Sequence, residues 1–100
     1  MNLKEISERL SKVSDIYAAK FEIRRDDDWF ILKIQEELGE LSSAYLKLTQ
    51  RARTGQSTQA ELEKNLQDEI ADVIAMTLLF AKHKNIDVEQ AIKEKWFHYL

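Results

Sequence analysis

Residues 30–48 read FILKIQEELGELSSAYLKL, and their spacing decides the fold. At about 100° per residue, Phe30, Ile34, Leu38, Leu41, Tyr45 and Leu48 fall in one stripe roughly 80° wide. An apolar stripe at this period is the buried face of an amphipathic helix. Residues 59–83, QAELEKNLQDEIADVIAMTLLFAKH, repeat the arrangement with Leu62, Leu66, Ile70, Val73, Thr77 and Phe80. Two long helices, each with an apolar face, predict a helical pair at the centre of the molecule.

Helix starts are marked along the rest of the chain. Asn2 followed by Glu5 has the form of a capping box, and Ile6, Leu10, Val13, Ile16 and Tyr17 then recur at helical spacing. This predicts a first helix from about Leu3 to Glu22. Asp26, Asp27 and Asp28 meet the positive end of a helix dipole, so a second helix runs from about Asp27 to Arg53, with Arg51 and Arg53 in its last turn. Residues 54–57 (TGQS) are the one clear breaker. Thr58 with Glu61 starts a third helix that reaches about Lys84. Asn85 and Ile86 form a turn, and Asp87 with Gln90 starts a fourth helix that extends toward Leu100.

Composition agrees with an all-α chain. The 100 residues contain no proline, two glycines and no cysteine. That excludes most all-β folds, a Gly-rich phosphate loop, a disulfide framework and a thiol nucleophile. One domain covers residues 1–100 at this length. A net charge of −3 makes a poor partner for a nucleic-acid polymer or a membrane surface. The N-terminus has no apolar leader segment, and the nearly apolar run from Ile70 to Ala81 is too short to span a bilayer, so the expected location is cytoplasmic. That run is apolar on almost every side. One small chain can hardly surround it, which predicts a four-to-five-helix bundle completed by dimerisation or tetramerisation.

The chemistry lies in two pairs of carboxylates. Glu37 sits at the edge of the apolar stripe of its helix, and Glu40, one turn on, continues that flank. On the next helix Glu69 sits at the stripe's edge, with Asp72 farther round. Pairs spaced i, i+3 on facing helices can converge on one volume, where four carboxylates repel. A hard divalent cation resolves that repulsion, and an all-oxygen ligand set favours Mg²⁺, with Mn²⁺ as a substitute. No histidine stands three residues from either glutamate pair, so the Glu-x-x-His pattern of di-iron bundles is missing. Mg²⁺ held by a few carboxylates commonly also binds substrate phosphates, which points to hydrolysis at phosphorus by an activated water.

The pattern Glu36-Glu37-Leu38-Gly39-Glu40, then 28 residues, then Glu69-Ile70-Ala71-Asp72, resembles the MazG-like all-α nucleoside triphosphate pyrophosphohydrolases. Gly39-Glu40-Leu41 and the apolar run after Asp72 are also similar to that family. The resemblance implies an all-α, oligomeric, Mg²⁺-dependent enzyme. It would convert an NTP or dNTP to the monophosphate and pyrophosphate by water attack on the α-phosphorus, removing noncanonical or excess nucleotides. Glu37, Glu40, Glu69 and Asp72 match the metal ligands, and Glu36 takes a supporting role. Lys95 matches the lysine that faces the phosphates late in the last helix. The Asn or Arg that accompanies it in the family is replaced by the run Trp96-Phe97-His98-Tyr99.

Other residues have two readings each. Lys33, one turn before Glu37, either meets a substrate phosphate or forms a salt bridge with Glu37. Trp29, on the carboxylate flank, either stacks on a nucleobase or packs in the core. Gly39 marks either a close backbone approach or a tolerated surface position. Trp96 and Tyr99 either close a base pocket or pack the last helix or a subunit interface. The rival functions are a phosphoribosyl-ATP pyrophosphohydrolase and a non-enzymatic helical interaction module.

Overall fold

The computed structural model describes all of residues 1–100, and every regular element is helical. Four α-helices follow one another: α1 (Leu3–Phe21), α2 (Asp27–Leu48), α3 (Gln59–His83) and α4 (Val88–Trp96). A short 3₁₀ turn, Phe97–Tyr99, closes the chain. No helix is long and apolar enough to cross a membrane.

The starts of the helices are those the side chains predict. Asn2, Asp26, Thr58 and Asp87 each accept a hydrogen bond from the backbone N–H three residues on. At Thr58 the box is reciprocal, because Glu61 also accepts from the Thr58 N–H at 3.0 Å. The ends differ from expectation. α2 stops at Leu48, five residues before Arg53. Gln50 turns into the left-handed region (φ 61°), its N–H donates to the Lys47 carbonyl, and that of Arg51 donates to Leu46 at 2.7 Å. These two bonds are a Schellman motif. The Thr49 hydroxyl also donates back to the Tyr45 carbonyl. Arg51 and Arg53 therefore lie outside the helix. Glu22 and Asn85 end α1 and α3 in the same left-handed way. The fourth helix ends at Trp96 rather than running to Leu100, tightening into the 3₁₀ turn.

α2 and α3 pack antiparallel along their length, and this pair is the centre of the molecule. Asp27 lies beside His83, Phe30 packs on Phe80 and His83, and the two carboxylate pairs meet farther along. The face that α2 turns toward α3 is rotated from the apolar stripe. Its axis runs through Phe30, Glu37 and Ala44, spaced i, i+7, i+14, with Ala44 only 1% exposed. Leu38 and Tyr45, expected in the core, are exposed, and so are Ile70 and Thr77 of α3. A small residue at the crossing lets the backbones approach, and the apolar stripe is carried to one side.

α1 crosses the C-terminal half of α3. It too is rotated: Ser7, Ser11, Ser14 and Ala18 form its inward face, while Val13, Ile16 and Tyr17 stay in water. Arg25 ties the α1–α2 connection back to α1 through Ser14 and Asp15, at 2.9 Å each. α4 buries no residue, and Trp96 and Tyr99 are exposed.

Candidate metal centre

Glu37 and Glu40 project from the middle of α2 toward Glu69 and Asp72 of α3. One carboxylate oxygen from each of the four lies within 4.8 Å of the others. The i, i+3 spacing puts each pair on one helix flank, and the antiparallel packing sets the pairs opposite each other. Glu37 and Glu69 are half-buried and form the floor, while Glu40 and Asp72 are exposed and form the rim.

The floor is chemically unfinished. Oε2 of Glu37 and Oε2 of Glu69 are shielded from solvent and accept no hydrogen bond. Buried carboxylate oxygens without a donor are costly. Desolvation, with the neighbouring charges of Glu40, Asp72 and Glu69, pushes the Glu37 carboxyl up to about 7. Desolvation and the charges of Glu40, Asp72 and Asp68 also raise Glu69. Nothing cationic pairs with any of the four.

A divalent cation would answer both defects. Mg²⁺ takes oxygen ligands at about 2.0–2.1 Å in an octahedron, so opposite ligands stand roughly 4.2 Å apart. Four oxygens within 4.8 Å need only small side-chain movements to meet that requirement. The donors are all carboxylate, with no histidine in the group, so a hard cation suits them better than zinc or iron.

The other predicted site residues divide. Lys33 Nζ donates to Glu36 Oε1 at 2.8 Å, so the salt bridge expected to Glu37 is made to Glu36 instead, at i, i+3. Glu36 stands outside the group of four and holds Lys33 beside the floor. The Lys33 ammonium is held above its usual range, chiefly by the Glu36 bond, with the charge of Glu37 adding to it.

Trp29 is half-buried and packs edge-on against Phe30, with ring centroids 5.0 Å apart. It stands two turns from Glu37, about 12 Å along the axis. Lys95 is exposed on α4 and forms no ion pair with the four carboxylates. Gly39 is exposed, and a Cβ there would meet nothing within 4 Å, so no close backbone approach requires it.

No family model, no curated protein and no solved structure matches this chain.

Proposed function

We propose that the chain is a Mg²⁺-dependent nucleotide pyrophosphohydrolase of the MazG-like all-α type. The observation that carries this reading is the convergence of Glu37, Glu40, Glu69 and Asp72, with two buried oxygens that no protein donor satisfies. These four residues would hold Mg²⁺, or Mn²⁺ in its place. The bound ion supplies charge neutralisation for a polyphosphate and a more acidic water.

The chain's own residues do the rest. Glu40 and Asp72 at the rim leave the group open toward solvent, where a triphosphate can enter. Lys33, fixed by Glu36, places a positive charge on that flank for a phosphate oxygen. Trp29 offers an aromatic face two turns away for the base. Lys95, exposed on α4, is the further positive charge that this reading assigns to the phosphates. In the reaction water adds to the α-phosphorus, the bond from it to the bridging oxygen breaks, and the nucleoside monophosphate and pyrophosphate leave. The biological role that fits this chemistry is removal of noncanonical or surplus nucleotides. The same reading has the protein acting as a homodimer or homotetramer in the cytoplasm.

The test is incubation with Mg²⁺ and a panel of NTPs, dNTPs and phosphoribosyl-ATP, with pyrophosphate measured against inorganic phosphate. Equal amounts of pyrophosphate and the matching monophosphate, lost on chelation, are expected. No product from any of these with Mg²⁺ or Mn²⁺, together with no rise in melting temperature on adding either ion, overturns the reading in favour of a non-enzymatic helical module.

A further inference from the structure

The turn from α2 into α3 is the longest stretch of the chain without an acid. Asp and Glu together number 18 in 100 residues, yet none stands between Glu40 and Glu61. The same stretch holds three cations, Lys47, Arg51 and Arg53. In a chain of net charge −3, this end of the hairpin is locally positive.

Nothing in the fold uses these cations. A basic residue in the last turn of a helix is held by the helix dipole. α2 ends at Leu48, so Arg51 and Arg53 lie beyond that turn. Both are exposed, and neither forms an ion pair. Lys47 is half-buried in the last turn, and it too has no carboxylate partner. The acids at the start of α3 are engaged elsewhere. Glu61 accepts from the Thr58 N–H, Glu63 accepts from the Gln59 amide, and Asp68 pairs with Lys64.

Their position relative to the carboxylates is specific. Lys33, Glu40 and Lys47 recur every seven residues, so they share one flank of α2. Lys33 stands on the Trp29 side of Glu40 and Lys47 on the side of the connection, each about 10 Å away along the axis. A nucleotide with its base at Trp29 and its α-phosphorus at the carboxylates points its β- and γ-phosphates away from Trp29, toward Lys47 and the two arginines. A two-phosphate tail and an extended basic side chain together cover the two turns between Glu40 and Lys47. We propose that Lys47, Arg51 and Arg53 form a seat for the terminal two phosphates of a nucleoside triphosphate, the part that leaves as pyrophosphate. The water oxygen bonds to the α-phosphorus and its proton passes to bulk water. The bond from that phosphorus to the bridging oxygen breaks, and its electron pair departs with pyrophosphate. Negative charge therefore grows at the end where the cations stand. An arginine fork takes two phosphate oxygens at once, and positive charge placed where negative charge develops lowers the barrier. The seat selects triphosphates, because a shorter tail leaves the arginines unfilled. The assignment of the anion as substrate rests on the pyrophosphohydrolase reading, whereas the seat itself rests on the charge pattern.

Isothermal titration of the full chain with inorganic tripolyphosphate tests the seat without metal or nucleotide. Chelator is present, and low ionic strength keeps exposed charges unscreened. The four carboxylates repel this anion, so its binding reports the basic end. The parent is expected to bind. Arg51→Gln with Arg53→Gln in one chain is expected to bind about ten- to hundredfold more weakly, the loss of one or two charge-assisted hydrogen bonds. Arg9→Gln with Lys12→Gln removes two exposed, unpaired cations from α1 and is expected to bind as the parent does. A parent that does not bind, or equal weakening in the two double variants, overturns the proposal. In hydrolysis with Mg²⁺, the Arg51 and Arg53 variant is expected to raise the KM for a triphosphate about tenfold. Its inhibition by the nucleoside monophosphate, which has no tail, is expected to stay unchanged. Hydrolysis with KM and tripolyphosphate binding unaltered in that variant overturns the seat and keeps the enzyme. Weakened tripolyphosphate binding in a chain that hydrolyses no nucleotide keeps the seat and overturns the enzyme.

Discussion

Glu37 concentrates the chemistry of the site in one side chain. Its carboxyl, pushed up to about 7, binds a proton in the folded state at pH values where the unfolded chain has released it. The metal-free protein is therefore expected to lose stability as pH rises from about 4.5 through 7. The full shift would correspond to roughly 3 kcal/mol, but the group opens to solvent, and about 1 kcal/mol is expected. Melting curves at pH 5 and pH 8 in chelator measure it, and a flat or rising profile contradicts the reading. Adding Mg²⁺ is expected to reverse the slope, because the ion competes with that proton. Glu37→Gln removes the repelling charge, so at pH 8 it is expected to melt higher than the metal-free parent while pyrophosphate release falls below detection. Gly39→Ala should add about 0.5–1 kcal/mol, since the helix gains propensity and the new methyl group meets nothing. These positions show what spacing alone reveals. The i, i+3 carboxylates were legible because a helix fixes neighbours three apart. The choice of Glu36 over Glu37 by Lys33 depends on rotamers, which spacing does not fix.

The helices were legible at their starts and less so at their ends. A start is set by one side chain accepting one N–H, which Asn2, Asp26, Thr58 and Asp87 announce locally. An end here is set by a residue entering the left-handed region, and three non-glycine residues do so: Glu22, Gln50 and Asn85. Only asparagine among these carries a conventional signal for that conformation. Gln50→Gly should relieve the strain and stabilise the protein by a few tenths to about 1 kcal/mol, the net of the conformational penalty and the greater freedom of glycine when unfolded. A fall in denaturation midpoint would mean that the Thr49 and Arg51 bonds, not the left-handed residue, define this end. Rotation about the helix axis was the least legible property. Periodicity located an apolar stripe on α2 but not its partner, and Ala44 at the crossing turned Glu37 inward and Leu38 outward. Ala44→Leu is expected to cost about 1–3 kcal/mol by overpacking that crossing, and it should weaken Mg²⁺ binding by spreading the two carboxylate pairs.

At the scale of the whole molecule, the single chain is under-packed. Six of its 100 residues are buried, none of them charged, and its radius of gyration is 16.0 Å, against about 12.7 Å for a compact chain of this length. The sequence already pointed this way, since the run from Ile70 to Ala81 has more apolar sides than three neighbouring helices can cover. What it could not show was which sides stay open, because that follows from the rotations of α1 and α2. If folding is completed by a second copy, unfolding is bimolecular in reverse, and the melting temperature must depend on protein concentration. Unfolding enthalpy is about 0.7 kcal/mol per residue, which for two 100-residue chains gives a drop of roughly 3–4 °C for each tenfold dilution. Melting followed by circular dichroism over two decades of concentration reads this directly. A melting temperature that stays fixed over that range means that the isolated protomer is the stable unit, and its open apolar side then needs a different explanation from self-association.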